Sequence, residues 1–296
     1  MFIKAGKNNP RLQTYDIPSV NKAWLWFIHP DNNTEKVNLA TSLKDSLANK
    51  KQVLDVGAGN GAIWQEIKNR GGEIPDKLDL LDFSKKLLFQ AKQKLGDKKV
   101  RILWQDVRVI DKIANLESGY DVILCSHLLS GLEFNDQKTL LSALFVKLQT
   151  KGKLIIVQPH LDDRLSEIKR MILSAIQGRE LPPRIRLLPQ EIGKTLGGLL
   201  PKKEEIIQSV LIAHNERELT LLARFLLLEI NGLDFSQIAK ALAILKTEGE
   251  RIEGNNNSIF RFKIKNHLIV FEKREKRKRK RLFAPSGKIK IRKYRL

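Results

Sequence analysis

Cysteine is almost absent from this chain, because Cys125 is the only one among 296 residues. A single cysteine excludes an internal disulfide framework and a zinc site built from several thiolates. It also excludes an iron–sulfur cluster held by three or four cysteines. We therefore expect a reducing, cytoplasmic compartment.

Long hydrophobic runs are lacking as well. No stretch approaches the roughly 18 apolar residues that a membrane-spanning helix needs, and the best candidate, Leu219 to Ile230, is interrupted by Arg224 and Glu229. The polar residues 1–10 have no apolar core of the signal-peptide kind. The sequence therefore predicts no transmembrane segment, and we expect residues 219–230 to form a buried helix.

Acidic residues are scarce relative to basic ones, with 33 Asp and Glu against 54 Lys and Arg, so the net charge is +21. Much of the excess lies between Lys273 and Leu296, where 13 Lys and Arg accompany one Glu. Such a segment is too charged for a core, and we predict a disordered basic tail over 273–296. Three interpretations of the tail stay open: contact with nucleic acid, contact with an anionic membrane surface, or a solubilising appendage with no dedicated partner.

Short apolar runs alternate with helical stretches in the first half of the chain. This alternation predicts a parallel sheet with helices on both faces, and the residues that follow the strands would share the edge where open α/β sheets bind ligands. The five predicted strands are 52–56, 77–81, 100–104, 120–125 and 153–158.

Five segments follow from these patterns. Residues 1–50 form a helical lead-in, and residues 51–159 form a Rossmann-like core. In 160–257 strand signals nearly vanish and Glu204 to Leu228 keeps helical periodicity, which predicts a helical insertion or cap. Residues 259–265 alternate in polarity and the apolar run Leu268 to Phe271 follows across Asn266-His267, which predicts a terminal β-hairpin over 258–272, ahead of the tail.

The strongest local motif is the glycine-rich turn after the first strand, Val53-Leu54-Asp55-Val56-Gly57-Ala58-Gly59-Asn60-Gly61. Glycine permits positive φ and lets a ligand approach the backbone without meeting a Cβ atom. The turn also fits the dinucleotide pattern G-x-G-x-x-[GA], so a dehydrogenase stays possible, as does a structural turn without a ligand.

The following segments resemble one family. Leu80-Leu81-Asp82-Phe83-Ser84 is similar to the second-strand signature of class I S-adenosylmethionine-dependent methyltransferases, and Leu103-Trp104-Gln105-Asp106-Val107 to the third. Segments 120–132 and 152–157 resemble the fourth and fifth strands. The resemblance covers about 50–160 and 259–272. It implies a doubly wound, seven-stranded, mostly parallel sheet, S-adenosyl-L-methionine as the cofactor, and methyl transfer as the reaction.

The resemblance also implies roles for individual residues. Asp82 would bind the ribose hydroxyls, Asp106 the adenine amino group, and the backbone N–H of Val107 a ring nitrogen, while Asp55 would lie near the methionine end. Asp55 and Asp106 favour this cofactor over a dinucleotide, because their charges would repel a pyrophosphate. The full candidate cofactor set is Asp55, Gly57, Ala58, Gly59, Gly61, Asp82, Phe83, Asp106, Val107 and Ser126.

The methyl acceptor is less constrained by the sequence. His127 follows the fourth strand and is the best-placed candidate base, although a helix-capping role is the alternative. The segment Cys125-Ser126-His127-Leu128 replaces the Asn/Asp-Pro-Pro-aromatic motif of methyltransferases that modify base amines, which disfavours that substrate. The aromatic residues Tyr15, Trp24 and Trp26 would either cover a small-molecule pocket or pack the lead-in against the sheet.

Three functions therefore remain. The first is a methyltransferase with a small-molecule acceptor, the second an RNA- or ribosome-associated methyltransferase recruited by the tail, and the third a non-catalytic binding module on the same fold. The sequence leaves the oligomeric state open.

Overall fold

One sheet runs through the protein and carries the predicted strands. The computed structural model describes residues 18–96, 99–107, 116–182, 186–227, 233–253 and 258–275. Within these ranges the strands are β1 (Gln52–Val56), β2 (Lys77–Asp82), β3 (Val100–Trp104), β4 (Tyr120–Ser126), β5 (Leu148–Pro159), β6 (Lys203–Ala213), β7 (Glu250–Glu253) and β8 (Ser258–Glu272).

The strand order is β3-β2-β1-β4-β5-β8-β6, and β7 pairs with the first residues of β8, on the edge opposite β6. Strands β1 to β5 pair in parallel, as the sequence predicts. β8 is antiparallel to its neighbours. The chain leaves β1 toward β2 and β3 and then crosses to β4 on the other side, so the order reverses next to β1. Crevices at such a reversal are where doubly wound sheets bind ligands.

Helices cover both faces of the sheet and a further group extends beyond its edge. They are α1 (Pro18–Phe27), α2 (Glu35–Leu47), α3 (Ala62–Asn69), α4 (Lys85–Leu95), α5 (Phe134–Lys147), α6 (Arg164–Gln177), α7 (Pro189–Thr195), α8 (Glu216–Leu226) and α9 (Phe235–Glu248). None of the helices in the described ranges is long and apolar enough to cross a membrane.

Alternate side chains of the central strands pack into two separate hydrophobic cores, one on each face of the sheet. Leu54 and Val56 of β1 pack with side chains of α5 and α7, whereas Val53 packs with those of α2, α3 and α4. A strand points successive side chains to opposite faces, so burial on both sides requires the continuous apolar runs seen in the sequence. The doubly wound, mostly parallel architecture is therefore confirmed.

The expectation of a purely helical segment over 160–257 is wrong, because β6 and β7 lie within it. In β6 the residues Ile207, Ser209, Leu211 and Ala213 are buried, with less buried residues between them, which is a period of two. Adjacent apolar residues such as Ile206 and Ile207 also fit a helical period, so the pattern is ambiguous until the strand has a partner.

The predicted hairpin over 258–272 is also wrong, because β8 is one uninterrupted strand of 15 residues. Asn266 lies mid-strand and pairs with Pro159 of β5 and Ile207 of β6, so no turn occurs there. With β7, the described sheet has eight strands, one more than expected. Residues 276–296 of the predicted tail lie outside the described residues, and so does Tyr15.

Candidate active site

A cavity of about 960 Å³ opens at the carboxyl edge of β1, β2 and β4, beside the reversal in strand order. Loops after the parallel strands form its floor, and residues of α1 and α6, among them Trp24, Phe27 and Leu165, form its cover. Most sequence-predicted site residues line it, namely Asp55, Gly57, Ala58, Gly59, Asp82, Phe83, Asp106, Val107, Ser126 and His127. The carboxyl ends of parallel strands thus bring together residues that are far apart in sequence.

Gly61 is the exception among the predicted residues. It precedes α3 with φ +71°, and a Cβ atom there would lie 3.1 Å from the Cβ of Ala91 in α4. Its small size therefore serves helix packing, and the structure places it behind the cavity wall.

The glycine-rich loop is held in a conformation that glycine alone adopts easily. Gly57 and Gly59 have φ +78° and +55°. The N–H groups of Gly57 and Ala58 both donate to the carbonyl of Leu81, at 2.8 and 3.1 Å, which ties the loop to the end of β2. A Cβ atom on Gly59 would lie 3.3 Å from the indole ring of Trp24, so the cover approaches the loop closely.

Asp82 connects this loop to the end of β2. One carboxylate oxygen accepts from the N–H of Gly59 at 2.9 Å, and the other accepts from the N–H of Ser84 at 2.8 Å. Burial raises the pKa of Asp82, and hydrogen bonds from the backbone N–H groups of Ser84, Gly59 and Phe83 oppose this shift. A carboxylate fixed in this way keeps lone pairs for two further donors, such as a pair of ribose hydroxyls.

Asp55 is buried beneath the same loop. Its carboxylate accepts from the indole N–H of Trp64 at 2.8 Å. Burial raises the pKa of Asp55 to about 7; the hydrogen bond from Trp64 opposes the shift and the charge of Asp82 adds to it. A cation placed beside this carboxyl would favour its ionised form, so the site suits a positively charged ligand.

Unpaired buried polar atoms in the cavity wall fit a polar ligand. The hydroxyl of Ser126, both side-chain polar atoms of Asn60 and the side-chain oxygen of Asn266 have no hydrogen-bond partner among the described residues. Leaving such groups unpaired costs free energy unless a ligand or water supplies the missing partner. S-Adenosylmethionine carries hydroxyl, ammonium, carboxylate and adenine groups, so these residues fit that cofactor.

Residues 53–152 match the family model described as "Methyltransferase domain". The matched residues include β2 to β4 and the glycine-rich loop, so this part of the chain is similar to a methyltransferase domain. Two solved structures share its fold. A protein from Bacillus halodurans C-125 described as a candidate methyltransferase is 13% identical, with a TM-score of 0.50 over 80% of this chain and 99% of that chain. The YcgJ protein from Bacillus subtilis is 15% identical, with a TM-score of 0.52 over 81% and 99%. No curated protein sequence matches this chain significantly.

The same cavity contains a charged cluster that the sequence analysis identified only in part, through His127. Nε2 of His127 lies 3.2 Å from Oε1 of Glu35, the first residue of α2. Asn266 of β8 donates to the same oxygen at 2.7 Å, and Nζ of Lys36 lies 3.4 Å from Oε2. Burial alone would raise the pKa of Glu35, but Lys36, His127 and Asn266 together hold it well below its usual range.

Cys125 is not among the residues that line the cavity. Its side chain is fully buried in the core, and burial, with a smaller effect of Asp55, raises the pKa of the thiol to about 12. Cys125 therefore packs as a small hydrophobic residue.

Proposed function

We propose that this methyltransferase binds S-adenosylmethionine between the glycine-rich loop and the loops after β2 and β3, and methylates a small-molecule acceptor. The observation that carries the proposal is the continuity of one cavity from Asp82 and Asp106 to His127 and α6. Small-molecule sites usually have volumes of about 300 to 1,000 Å³, and this cavity, at about 960 Å³, is near the upper end of that range. It has room for an acceptor beside a nucleoside-sized cofactor.

Each wall of the cavity has a distinct task in this proposal. Asp82 would accept from the ribose hydroxyls, Asp106 and the N–H of Val107 would bind adenine, and Asp55 would lie near the positive charges of the cofactor. S-Adenosylmethionine supplies an electrophilic methyl group when bound. The protein contributes mainly by holding the reactants in line, and such positioning supplies about 7 to 11 kcal/mol in well-oriented intramolecular reactions.

Apolar residues of α1 and α6 line part of the cavity. They are Trp24 and Phe27 of α1 and Leu165 and Leu173 of α6. Phe27 also stacks on Phe225 of α8, with ring centroids 3.8 Å apart and an angle of 11° between planes. The lead-in helix is therefore fixed to the helical layer that covers the acceptor side.

Calorimetric titration with S-adenosylhomocysteine and with NADH tests the cofactor assignment. We expect micromolar binding of the first ligand only, weakened about 10- to 150-fold in Asp82→Ala, because a hydrogen bond to a charged group contributes about 1.5 to 3 kcal/mol. Asp76→Ala is the matched control, since Asp76 is an exposed acid at the opposite end of β2. Tighter binding of NADH, or equal loss in both variants, would contradict the assignment.

Transfer of tritiated methyl groups from S-adenosylmethionine then tests the acceptor class. A panel of phenols, carboxylates, amines and thiols is compared with structured RNA at equal protein concentration. The proposal expects label in the small-molecule panel. Cofactor binding without transfer to either pool would instead favour the non-catalytic binding module.

The charge of the chain supports a second function, an RNA- or ribosome-associated methyltransferase recruited by Lys273 to Leu296. Eight of the nine residues from Lys273 to Arg281 are basic. The test compares the full chain with a variant in which the Lys and Arg residues of 276–281 are replaced by Gln, using labelled RNA at several salt concentrations. Recruitment by the tail predicts weaker binding and a shallower salt dependence in the variant; unchanged binding would reject it. For either function we propose a reducing cytoplasmic setting, because the single cysteine, Cys125, is free and buried.

A further inference from the structure

The ring of His127 presents its two nitrogens to different surroundings. Nε2 is buried and lies 3.2 Å from Oε1 of Glu35, within ion-pair distance although not aligned as a hydrogen bond. The side chain of His127 as a whole keeps 28% exposure, so the exposed part of the ring is the part away from Nε2. None of the described residues forms a hydrogen bond with Nδ1. Nδ1 therefore lies on the edge of the ring that is open to the cavity.

Glu35 is more deeply buried than helix formation requires. An acidic residue in the first turn stabilises a helix from the surface, but the side chain of Glu35 is only 4% exposed. Three elements converge on it: Lys36 from α2, His127 from the end of β4, and Asn266 from β8. Removing a carboxylate from water is costly, and these contacts are what keep it ionised next to the imidazole.

The backbone of His127 adds an independent observation. Its φ is +57°, in the left-handed region that residues other than glycine rarely adopt, and its N–H still donates to the carbonyl of Val157 at 2.8 Å. Such a conformation costs about 1 to 3 kcal/mol and persists where the surrounding structure enforces it, most often at active sites. Here it turns the side chain of His127 out of the strand direction and toward Glu35.

We propose that His127 is the base that removes a proton from the methyl acceptor at Nδ1, and that Glu35 is the residue that positions and charges it through Nε2. This inference rests on the proposed function. The acceptor is then a group X–H, a hydroxyl or a protonated nitrogen, and loss of its proton leaves on X the electron pair that forms the X–CH₃ bond. The electrons of the broken S–CH₃ bond stay on sulfur, and the X–H proton passes to Nδ1. The carboxylate of Glu35 balances the resulting imidazolium charge, as in other carboxylate–histidine pairs.

This assignment restricts the acceptor class. An acceptor with no proton to lose, such as a thioether, would gain nothing from the pair. We therefore expect the phenols or the amines of the panel to be labelled. The buried side-chain oxygen of Asn266 could accept a hydrogen bond from a donor group on the substrate.

The first test needs no acceptor and uses the full chain labelled with ¹⁵N-histidine, saturated with S-adenosylhomocysteine, at about pH 8, where free imidazole is neutral. The ring nitrogens of His127, assigned by comparison with His127→Asn, should show the proton on Nε2 and none on Nδ1. Glu35→Gln should mix the two tautomers. Glu204→Gln is the matched control, because Glu204 lies 3.1 Å from Nε2 of His267, outside the cavity wall, and should leave the His127 signals unchanged. A proton on Nδ1 in the native protein, or no response to Glu35→Gln, overturns the proposal.

The second test uses chemical rescue with the panel acceptor that takes up most label. His127→Gly suits a positive φ, so it should fold and bind S-adenosylhomocysteine like the native chain, while transfer falls about 100-fold or more. Free imidazole should restore part of that loss. Glu35→Gln should lower transfer about tenfold or more and show no rescue by imidazole. Loss without rescue in His127→Gly, although the cofactor binds normally, rejects a proton-accepting role. Absence of S-adenosylhomocysteine binding in the native chain would instead reject the proposed function itself.

Discussion

The buried carboxyl of Asp55 makes the stability of the free protein depend on pH in a direction opposite to that of most acids. Its pKa is raised from an ordinary value of 3.8 to about 7, mainly by burial. Asp55→Asn keeps the shape of the side chain and an oxygen for the indole N–H of Trp64 at 2.8 Å. The substitution therefore removes the titration and leaves the packing in place.

The sign and size of the effect follow from proton linkage. Between about pH 4 and pH 7 the folded protein holds a proton on Asp55 that the unfolded chain has released, so this residue's contribution to stability falls as pH rises. At about 1.4 kcal/mol per pH unit, the shift corresponds to roughly 4 kcal/mol across this range. Asp55→Asn should thus be increasingly more stable than the native chain up to about pH 7, with a constant difference above it.

Urea unfolding followed by tryptophan fluorescence at a series of pH values measures this difference directly. Asp45→Asn, which changes an exposed acid of α2, is the control and should follow the native profile. The reasoning is refuted if the profiles of Asp55→Asn and the native protein run parallel between pH 4 and pH 7. It is also refuted if the variant is less stable throughout by a constant amount.

Three further predictions concern the same sheet edge and the core behind it. The affinity for S-adenosylmethionine should rise as pH increases through about 7, because the bound cation favours the Asp55 carboxylate, and calorimetry on Asp55→Asn should show a flatter dependence. Gly59→Ala should lower the free energy of unfolding by about 1 kcal/mol or more, because φ is +55° and the new Cβ would lie 3.3 Å from Trp24. In urea unfolding, adding Trp24→Ala should relieve the contact but not the backbone strain. Arg101→Met should destabilise the protein by about 3 to 5 kcal/mol in the same assay, since it leaves the fully buried carboxylate of Asp79, now 2.8 Å from Nε of Arg101, without its cation.

The central strands could be predicted from the sequence because local pattern and tertiary environment agree there. β1 and β3 have the predicted bounds, and β2 and β4 extend one residue further. β1, β2 and β4 are buried on both faces, so their residues are mostly apolar and do not follow the pattern of an amphipathic helix, whereas β3, at the sheet edge, is only partly buried. β6 and β8 could not be predicted in the same way, since each gains its hydrogen-bond partners from a strand distant in the sequence. The alternation in β8 was visible, but its length depends on two neighbours that pair through Asn266.

That several polar residues would meet at one edge of the sheet could be predicted for a related reason. Asp82 and Ser126 end β2 and β4, and Asp106 lies two residues after β3. Parallel strands bring their carboxyl ends to one edge whatever lies between them in the chain. Gly61 shows the limit of the glycine motif: its spacing is the same whether the absent side chain makes room for a ligand or for a neighbouring helix. Only the position of Ala91 at 3.1 Å distinguishes the two.

Glu35 shows why the acceptor side was less accessible to sequence reasoning. In the chain it follows Asn33-Thr34 and precedes an amphipathic helix, so it fits an ordinary first-turn acid on a solvated helix end. Its burial results from β8, more than 200 residues later, which places Asn266 against its carboxylate. His127 was found because it follows a strand, whereas its partner is supplied by a helix that precedes the whole sheet. Two residues from such distant elements form no motif with a characteristic spacing in the sequence. The pair can be recognised only from the strand order, which places β8 beside β5 and β5 beside β4.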